Sequence, residues 1–151
     1  MKWSMSVEEP VMLVATEDVV TVSGWALVAD AAAMMVEKRI SCLPVSLGHG
    51  AVGIITEKDI VKKVVAAGLD SGKVRVKEIM STPLITVPPT ISVREAAERM
   101  LKNEIRRLII ADEEGKLLGL VTMTDILKRV AKLEGNPSIL IRYFNDSTSQ
   151  R

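Results

Sequence analysis

The sequence predicts a mixed α/β (α+β) fold made of two β-α-β-β-α repeats, on three observations. The first is a stretch that occurs twice. Gly53-Ile-Ile-Thr56-Glu-Lys-Asp59-Ile60-Val-Lys62-Lys-Val64 returns as Gly119-Leu-Val-Thr122-Met-Thr-Asp125-Ile126-Leu-Lys128-Arg-Val130. The second is a wider match at an offset of 65, in which Val11, Thr21, Val22, Val28, Ala31, Ala32, Met35, Ile40 and Leu43 equal Val76, Thr86, Val87, Val93, Ala96, Ala97, Met100, Ile105 and Leu108. The third is the slip of that offset to 66 beyond a turn, one inserted residue where surface insertions belong. Self-similarity on this scale decides architecture before any local reading.

In chain order, residues 1–10 read as an arm, 11–67 as the first repeat, 68–75 as a linker, 76–133 as the second repeat and 134–151 as a tail. Each repeat opens with a short β segment (Val19–Val22; Leu84–Val87) that leads into a helix. In the second repeat Ser92-Val-Arg-Glu95 is a capping box, and Val93, Ala96, Ala97, Met100 and Leu101 follow helical spacing. The first repeat keeps the apolar stripe at Val28, Ala31, Ala32, Met35 and Val36 but lacks the box. Two strands follow, Cys42–Ser46 with Ala51–Thr56 and Arg107–Ala111 with Lys116–Thr122, joined by Leu-Gly-His-Gly and Asp-Glu-Glu-Gly turns. A second helix closes each repeat, over 57–67 and 123–133. Beyond Gly135-Asn-Pro137 the residues Ser138–Phe144 read as a short amphipathic helix, then a frayed polar tail. A lone unit of this kind exposes one apolar sheet face. Two copies are therefore expected to pack their sheets face to face about a pseudo-two-fold axis.

Composition removes several function classes. A chain of 151 residues can bury about 70% of its unfolded surface, and with 48% hydrophobic residues it is not disordered. Twenty basic against nineteen acidic residues leave +1, no global field for nucleic acid or an anionic membrane. Lys62, Lys63, Lys128 and Arg129 are basic, but they lie on helix faces and are offset by acids elsewhere. Aromatics at 3% provide few stacking platforms for single strands. No apolar run approaches the ~18 residues of a membrane span, and Glu8, Glu9 and Pro10 interrupt any signal-peptide core. Cys42, the sole cysteine, forms no internal disulfide and supports no cysteine-based zinc site. These exclusions predict a cytoplasmic protein with no metal.

Catalysis is poorly supplied. His49 is the sole histidine and sits in a glycine-flanked turn, so no Ser-His-Asp set, metal cluster or P-loop assembles. The duplicated stretch itself admits two readings. In one, Thr56-x-x-Asp59 and Thr122-x-x-Asp125 are capping boxes and nothing more. In the other, a strand entering a helix N-terminus presents free N–H groups to an anionic ligand, with the aspartate taking both hydroxyls of a ribose and the threonine reaching a phosphate. Gly53 and Gly119 lie inside strands, where glycine signals that something approaches the backbone closely.

The paired repeats, each closing on Gly-h-h-Thr-x-x-Asp-h-h (h apolar), resemble a tandem CBS-domain pair, or Bateman module, over about residues 11–133. The resemblance implies adenosine-containing ligands such as AMP, ADP, ATP or S-adenosylmethionine, and regulation of partner enzymes, channels or transporters. It implies ribose contacts at Asp125 and Asp59, hydroxyl or polar contacts at Thr122, Thr124, Thr56 and Lys58, and adenine packing on Leu120 and Ile54. Ile105, Arg106 and Arg107 match the segment that meets phosphate, and its counterpart Ile40-Ser41 carries no charge. The purine edge maps to Thr82-Pro83 for the Asp125 site and to Glu17-Asp18 for the Asp59 site. Carboxylates at Glu17 and Asp18 disfavour a phosphate, whereas Arg106 and Arg107 favour one through paired hydrogen bonds. Two unequal sites are expected, with the Asp125 site the stronger.

The expected function is a non-catalytic adenine-nucleotide sensor, its ligand AMP or a related adenosine compound, acting on a separate effector protein. The alternative is an interaction scaffold that binds no nucleotide, its Thr and Asp residues serving as caps. Ala33 and Met34 stand where the second repeat has Glu98 and Arg99, so the 26–37 helix reads as apolar all round and predicts a homodimer through it.

Overall fold

Each repeat builds a hairpin onto a β-α-β unit. In the first repeat, β2 (Cys42–Ser46) runs antiparallel to β3 (Ala51–Thr56), pairing Cys42 with Thr56 and Val45 with Gly53. The short β1 (Val22–Ser23) lies parallel to β2, with Val22 opposite Val45. Parallel neighbours need a crossover; here it is α1 (Val28–Lys38), which buries Val28, Ala31 and Met35. The second repeat reproduces the order with β4 (Thr86–Val87), β5 (Arg107–Ala111) and β6 (Leu117–Thr122), so each sheet has three strands in sequence order. Gly48 (φ 110°) and Gly50 (φ 78°) make the first hairpin turn, in backbone conformations a side chain disfavours.

The computed structural model describes residues 8–149. They fall into two units that cut across the sequence repeats. One, the Asp125 unit, joins the chain up to Asp18 with Thr86–Glu113 and everything from Leu118 onward; the other, the Asp59 unit, takes Val19–Ile85 and Glu114–Leu117. The opening segment of each repeat is thus exchanged. Val11, in a 3-10 turn (Val11–Leu13), packs with Val93, Met100, Leu108, Ile110 and Val121 of the second repeat. Val76 and Ile79, on α3 (Val76–Ile79), pack with Val28, Leu43, Val45 and Ile55 of the first.

Backbone pairing carries the exchange. Ile54 N–H donates to the Ser81 carbonyl at 3.0 Å and Ser81 N–H returns a bond to Ile54 at 2.8 Å. Thr16 and Leu120 exchange the same two bonds at 2.9 Å each. The strand glycines make room for this. A Cβ on Gly53 would stand 2.7 Å from the Ser81 carbonyl oxygen, and one on Gly119 would stand 3.1 Å from that of Thr16. What approaches these glycines closely is the chain's own backbone.

Several boundaries differ from the sequence expectation. The closing helix of the first repeat is α2 (Glu57–Ile60), continued by a π turn over Val61–Val65 in which Ala66 N–H reaches back five residues to Val61. Its counterpart α5 (Met123–Glu134) stays α-helical until Gly135 (φ 63°) caps it. The tail is helical for longer than its polarity predicts, as α6 (Ser138–Ser149). In α4 (Val93–Lys102) the Ser92 hydroxyl accepts from Glu95 N–H at 3.1 Å, as its spacing predicts. On α1, Met34 packs against the core while Ala33 and Val36 face outward, so its exposed apolar stripe is narrower than the sequence implies. The expected arm over 1–10 lies mostly outside the described residues, and Glu9 and Pro10 are tied to the second repeat by Val93 N–H→Glu9 and a Pro10–Ser92 bridge.

Gly53→Ala is expected to destabilise the protein by about 1–3 kcal/mol, because backbone must move to admit the methyl group. Gly119→Ala should cost clearly less, and a shift in denaturation midpoint for each variant checks the order.

Candidate functional site

Both duplicated stretches close as reciprocal capping boxes. Asp59 N–H donates to Thr56 Oγ1 at 3.2 Å, and Thr56 N–H donates to Asp59 Oδ2 at 3.0 Å. Asp125 N–H reaches Thr122 Oγ1 at 3.1 Å, and Thr122 N–H reaches Asp125 Oδ2 at 2.9 Å. The first helical N–H is also taken, Glu57 by the Ser41 carbonyl at 3.0 Å and Met123 by the Arg106 carbonyl at 2.9 Å. Two of the first three helical N–H groups are therefore spent in each copy, which lowers what either helix start can offer an anion.

The two carboxylates differ at the second oxygen. Asp59 is buried, and its Oδ1 accepts from Ser81 Oγ at 3.1 Å and meets Lys63 Nζ at 3.0 Å. Thr56 Oγ1 adds a second donor on Oδ2 at 3.0 Å, the fourth on the carboxylate. Asp125 is half-buried, and among the described residues no donor lies on its Oδ1. The cation at the matching position, Arg129, pairs with Glu9 at 3.3 Å instead. A satisfied buried carboxylate resists a new partner, and a half-buried one with a free lone pair accepts it.

The unit boundary reassigns part of the expected site. Ile40, Ser41, Ile54, Thr56, Lys58 and Asp59 share the Asp59 unit, and Ile105, Arg106, Arg107, Leu120, Thr122, Thr124 and Asp125 share the Asp125 unit, as grouped from sequence. Thr82 and Pro83 do not join Asp125. They follow Ser81 in the Asp59 unit, and Thr82 Cγ2 lies 3.0 Å from where a Gly53 Cβ would stand. Glu17 and Asp18 do not join Asp59; they are exposed and follow Thr16 beside Leu120 in the Asp125 unit. The cause is the exchanged opening segment, which carries each purine-edge candidate onto the other repeat. The expected penalty of Glu17 and Asp18 on a phosphate therefore moves from the Asp59 unit to the Asp125 unit, and Ser81 and Lys63 supply a different reason for inequality.

Arg107 opens β5, and its Nη1 is buried without a hydrogen-bond partner among the described residues. A buried guanidinium N–H left unpaired costs about 1–3 kcal/mol, so an acceptor there is strongly favoured. Arg106 is exposed. Sequence reading missed Ser81, Lys63 and Glu9. The four-residue spacing from Asp59 to Lys63 was a visible signal; Ser81 and Glu9 depend on the exchange and left none. His49 is exposed in its turn and Cys42 is buried in β2. Among the described residues no three metal-ligating side chains cluster, and no helix is long and apolar enough to cross a membrane.

Comparison with known proteins places this geometry. An uncharacterized protein of Methanocaldococcus jannaschii is 36% identical over 139 residues, 90% of this chain and 74% of that protein. An inosine-5'-monophosphate dehydrogenase of Korarchaeum cryptofilum is 39% identical over 74% of this chain, which spans only 22% of that enzyme. Among solved structures, a CBS domain pair in complex with 5'-methylthioadenosine and S-adenosyl-L-methionine superposes with a TM-score of 0.71 at 29% identity, covering 79% of this chain and 97% of that one. The family model for the CBS domain matches twice, at residues 7–66 and 76–132. The chain belongs to the CBS-domain family and carries the domain as a tandem pair.

Proposed function

We propose that the chain is a non-catalytic regulatory module that binds one adenosine-containing ligand at the Asp125 unit and passes the signal to another protein or domain. The observation that carries this is that, among the described residues, Asp125 Oδ1 meets no donor and the buried Nη1 of Arg107, in the same unit, meets no acceptor. A ribose needs an acceptor with a free lone pair, and a phosphate needs a guanidinium with a free N–H. In this reading Asp125 accepts from ribose, Thr122 and Thr124 contribute hydroxyls, Leu120 packs on adenine, and the segment Ile105-Arg106-Arg107 meets a phosphate. The arginines favour AMP, ADP or ATP over an uncharged nucleoside. The Glu17 and Asp18 carboxylates of the same unit oppose them only weakly, because both are exposed and screened by solvent. The Asp59 unit serves mainly as scaffold, because Ser81 and Lys63 occupy the equivalent oxygen. Support from similarity is coarser: one structural neighbour holds two adenosine compounds, and one relative is a much longer enzyme. Any state change requires the ligand to favour one conformation over another.

A rival reading, an interaction scaffold that binds no nucleotide, is favoured by the helix-start N–H groups already spent in both copies. Thermal denaturation with AMP, ATP and S-adenosylmethionine separates the two. A midpoint raised by at least one of them is expected, and no response to any supports the scaffold.

Calorimetry on paired variants tests the asymmetry. Asp125→Ala should weaken AMP binding roughly 10- to 100-fold, the size of a lost charge-assisted contact, and Asp59→Ala should leave it nearly unchanged. Stability should move the other way. Asp59→Ala takes the acceptor from the Ser81 hydroxyl and the ion-pair partner from Lys63, which keeps the Ile79 carbonyl. It is expected to cost about 1–3 kcal/mol more than Asp125→Ala in urea.

We also propose a homodimer through α1, whose exposed Ala33 and Val36 (79% exposed) leave an apolar stripe uncovered. Sedimentation should show dimers at micromolar concentration and monomers for Val36→Glu; a monomeric parent protein removes the idea.

A further inference from the structure

We infer that Glu9 is the positioning residue that keeps the Asp125 carboxylate open, by holding Arg129 away from it. The inference rests on the reading of Asp125 as a ligand carboxylate. In both copies the fourth residue after the aspartate is a cation, Lys63 after Asp59 and Arg129 after Asp125. Residues four apart on a helix are neighbours, and an acid preceding a base at that spacing pairs by default.

At Asp59 the default pair forms. Lys63 Nζ lies 3.0 Å from Asp59 Oδ1 and also donates to the Ile79 carbonyl at 2.8 Å, so it is held on the carboxylate from two sides. At Asp125 it does not form. Arg129 Nη2 lies 3.3 Å from Glu9 Oε1 and its Nε lies 3.4 Å from Oε2. Among the described residues no ion pair joins Arg129 to Asp125. Chemistry explains the choice. Asp125 has already committed Oδ2 to Thr122 N–H and offers Arg129 a single oxygen, whereas Glu9 offers both of its own to the guanidinium fork. Glu9 is carried to this place by the exchanged opening segment, where its carbonyl accepts from Val93 N–H at 2.8 Å and Pro10 bridges to Ser92. The pair is only partly exposed, 33% at Arg129 and 26% at Glu9, so solvent does not erase its preference. The same helix position thus closes one carboxylate and spares the other, and the deciding residue lies 116 positions upstream of Asp125 (125 − 9).

The test uses Glu9→Ala and the double variant Glu9→Ala/Arg129→Met, crystallised without ligand and titrated with AMP by calorimetry. In Glu9→Ala, Arg129 is expected to move within hydrogen-bonding distance of Asp125 Oδ1, and AMP affinity should fall about three- to fivefold, the competition of one partly exposed ion pair. The double variant should regain the parent affinity, a rescue that a merely structural role for Glu9 would not produce. Crystals in which Arg129 stays off Asp125 overturn the inference whether or not AMP binds. So does an AMP affinity that is unchanged in Glu9→Ala, or lowered and not rescued. A parent protein that binds no AMP, with Arg129 moved onto Asp125 in the variant, upholds the placement of Arg129 by Glu9 and overturns the nucleotide reading of the site.

Discussion

Two backbone hydrogen bonds beside each strand glycine hold the opening segment of one repeat against the closing strand of the other, and most of the molecule depends on that crossing. The bonds join Ile54 to Ser81 and Leu120 to Thr16. Gly53 leaves the Ser81 carbonyl oxygen room that a Cβ would take, and Gly119 spares the Thr16 carbonyl a tight contact. The crossing also covers β3 and β6, strands that would otherwise present unpaired edges. Through it Val76 and Ile79 complete one core and Val11 completes the other, so neither repeat fills its core from its own residues alone. That is the usual condition of a repeat that cannot bury its apolar face unaided.

The same crossing differentiates two helix starts that are locally alike. Thr56 and Thr122 cap their helices with the same reciprocal pair of bonds, and each aspartate spends one oxygen on it. The second oxygen is left to whatever the exchanged segment brings. For Asp59 that segment brings the Ser81 hydroxyl, and Lys63 closes the remaining approach. For Asp125 it brings Glu9, which draws the neighbouring arginine off. Capping and binding are therefore not rival uses of the aspartate. One carboxylate oxygen serves the helix, and the environment of the other decides whether anything further can be held.

Much of this fold was legible because its signals are local. The hairpin strands Cys42–Ser46, Ala51–Thr56 and Arg107–Ala111 stand where alternation and turn residues put them, and the Thr-x-x-Asp boxes form as their spacing requires. The π turn after Ile60 had no legible signal, and we have no physical account of it. The tail helix outruns its polar composition, whose low apolar content hides a helical continuation beyond Phe144. For the site, Asp59 and Asp125 each share a unit with the residues that the repeat spacing puts around them. Thr82-Pro83 and Glu17-Asp18 stand in the unit of the other aspartate, because their placement follows from the Ile54–Ser81 and Thr16–Leu120 pairings, 27 and 104 residues apart in sequence (81 − 54 and 120 − 16).

What the sequence by itself determined is the pair of repeats, their hairpin strands and helix starts, and the chemistry available at each helix start, since these follow from periodicity, capping spacing and residue type within a dozen positions. Tertiary structure alone decided which opening segment meets which strand. It thereby decided that Asp59 is closed by Ser81 and Lys63 while Asp125, among the described residues, meets no donor on its second oxygen. The reason is physical: an ion pair or hydrogen bond forms with the nearest competent partner in space, and in a protein whose repeats exchange their ends that partner comes from the other copy.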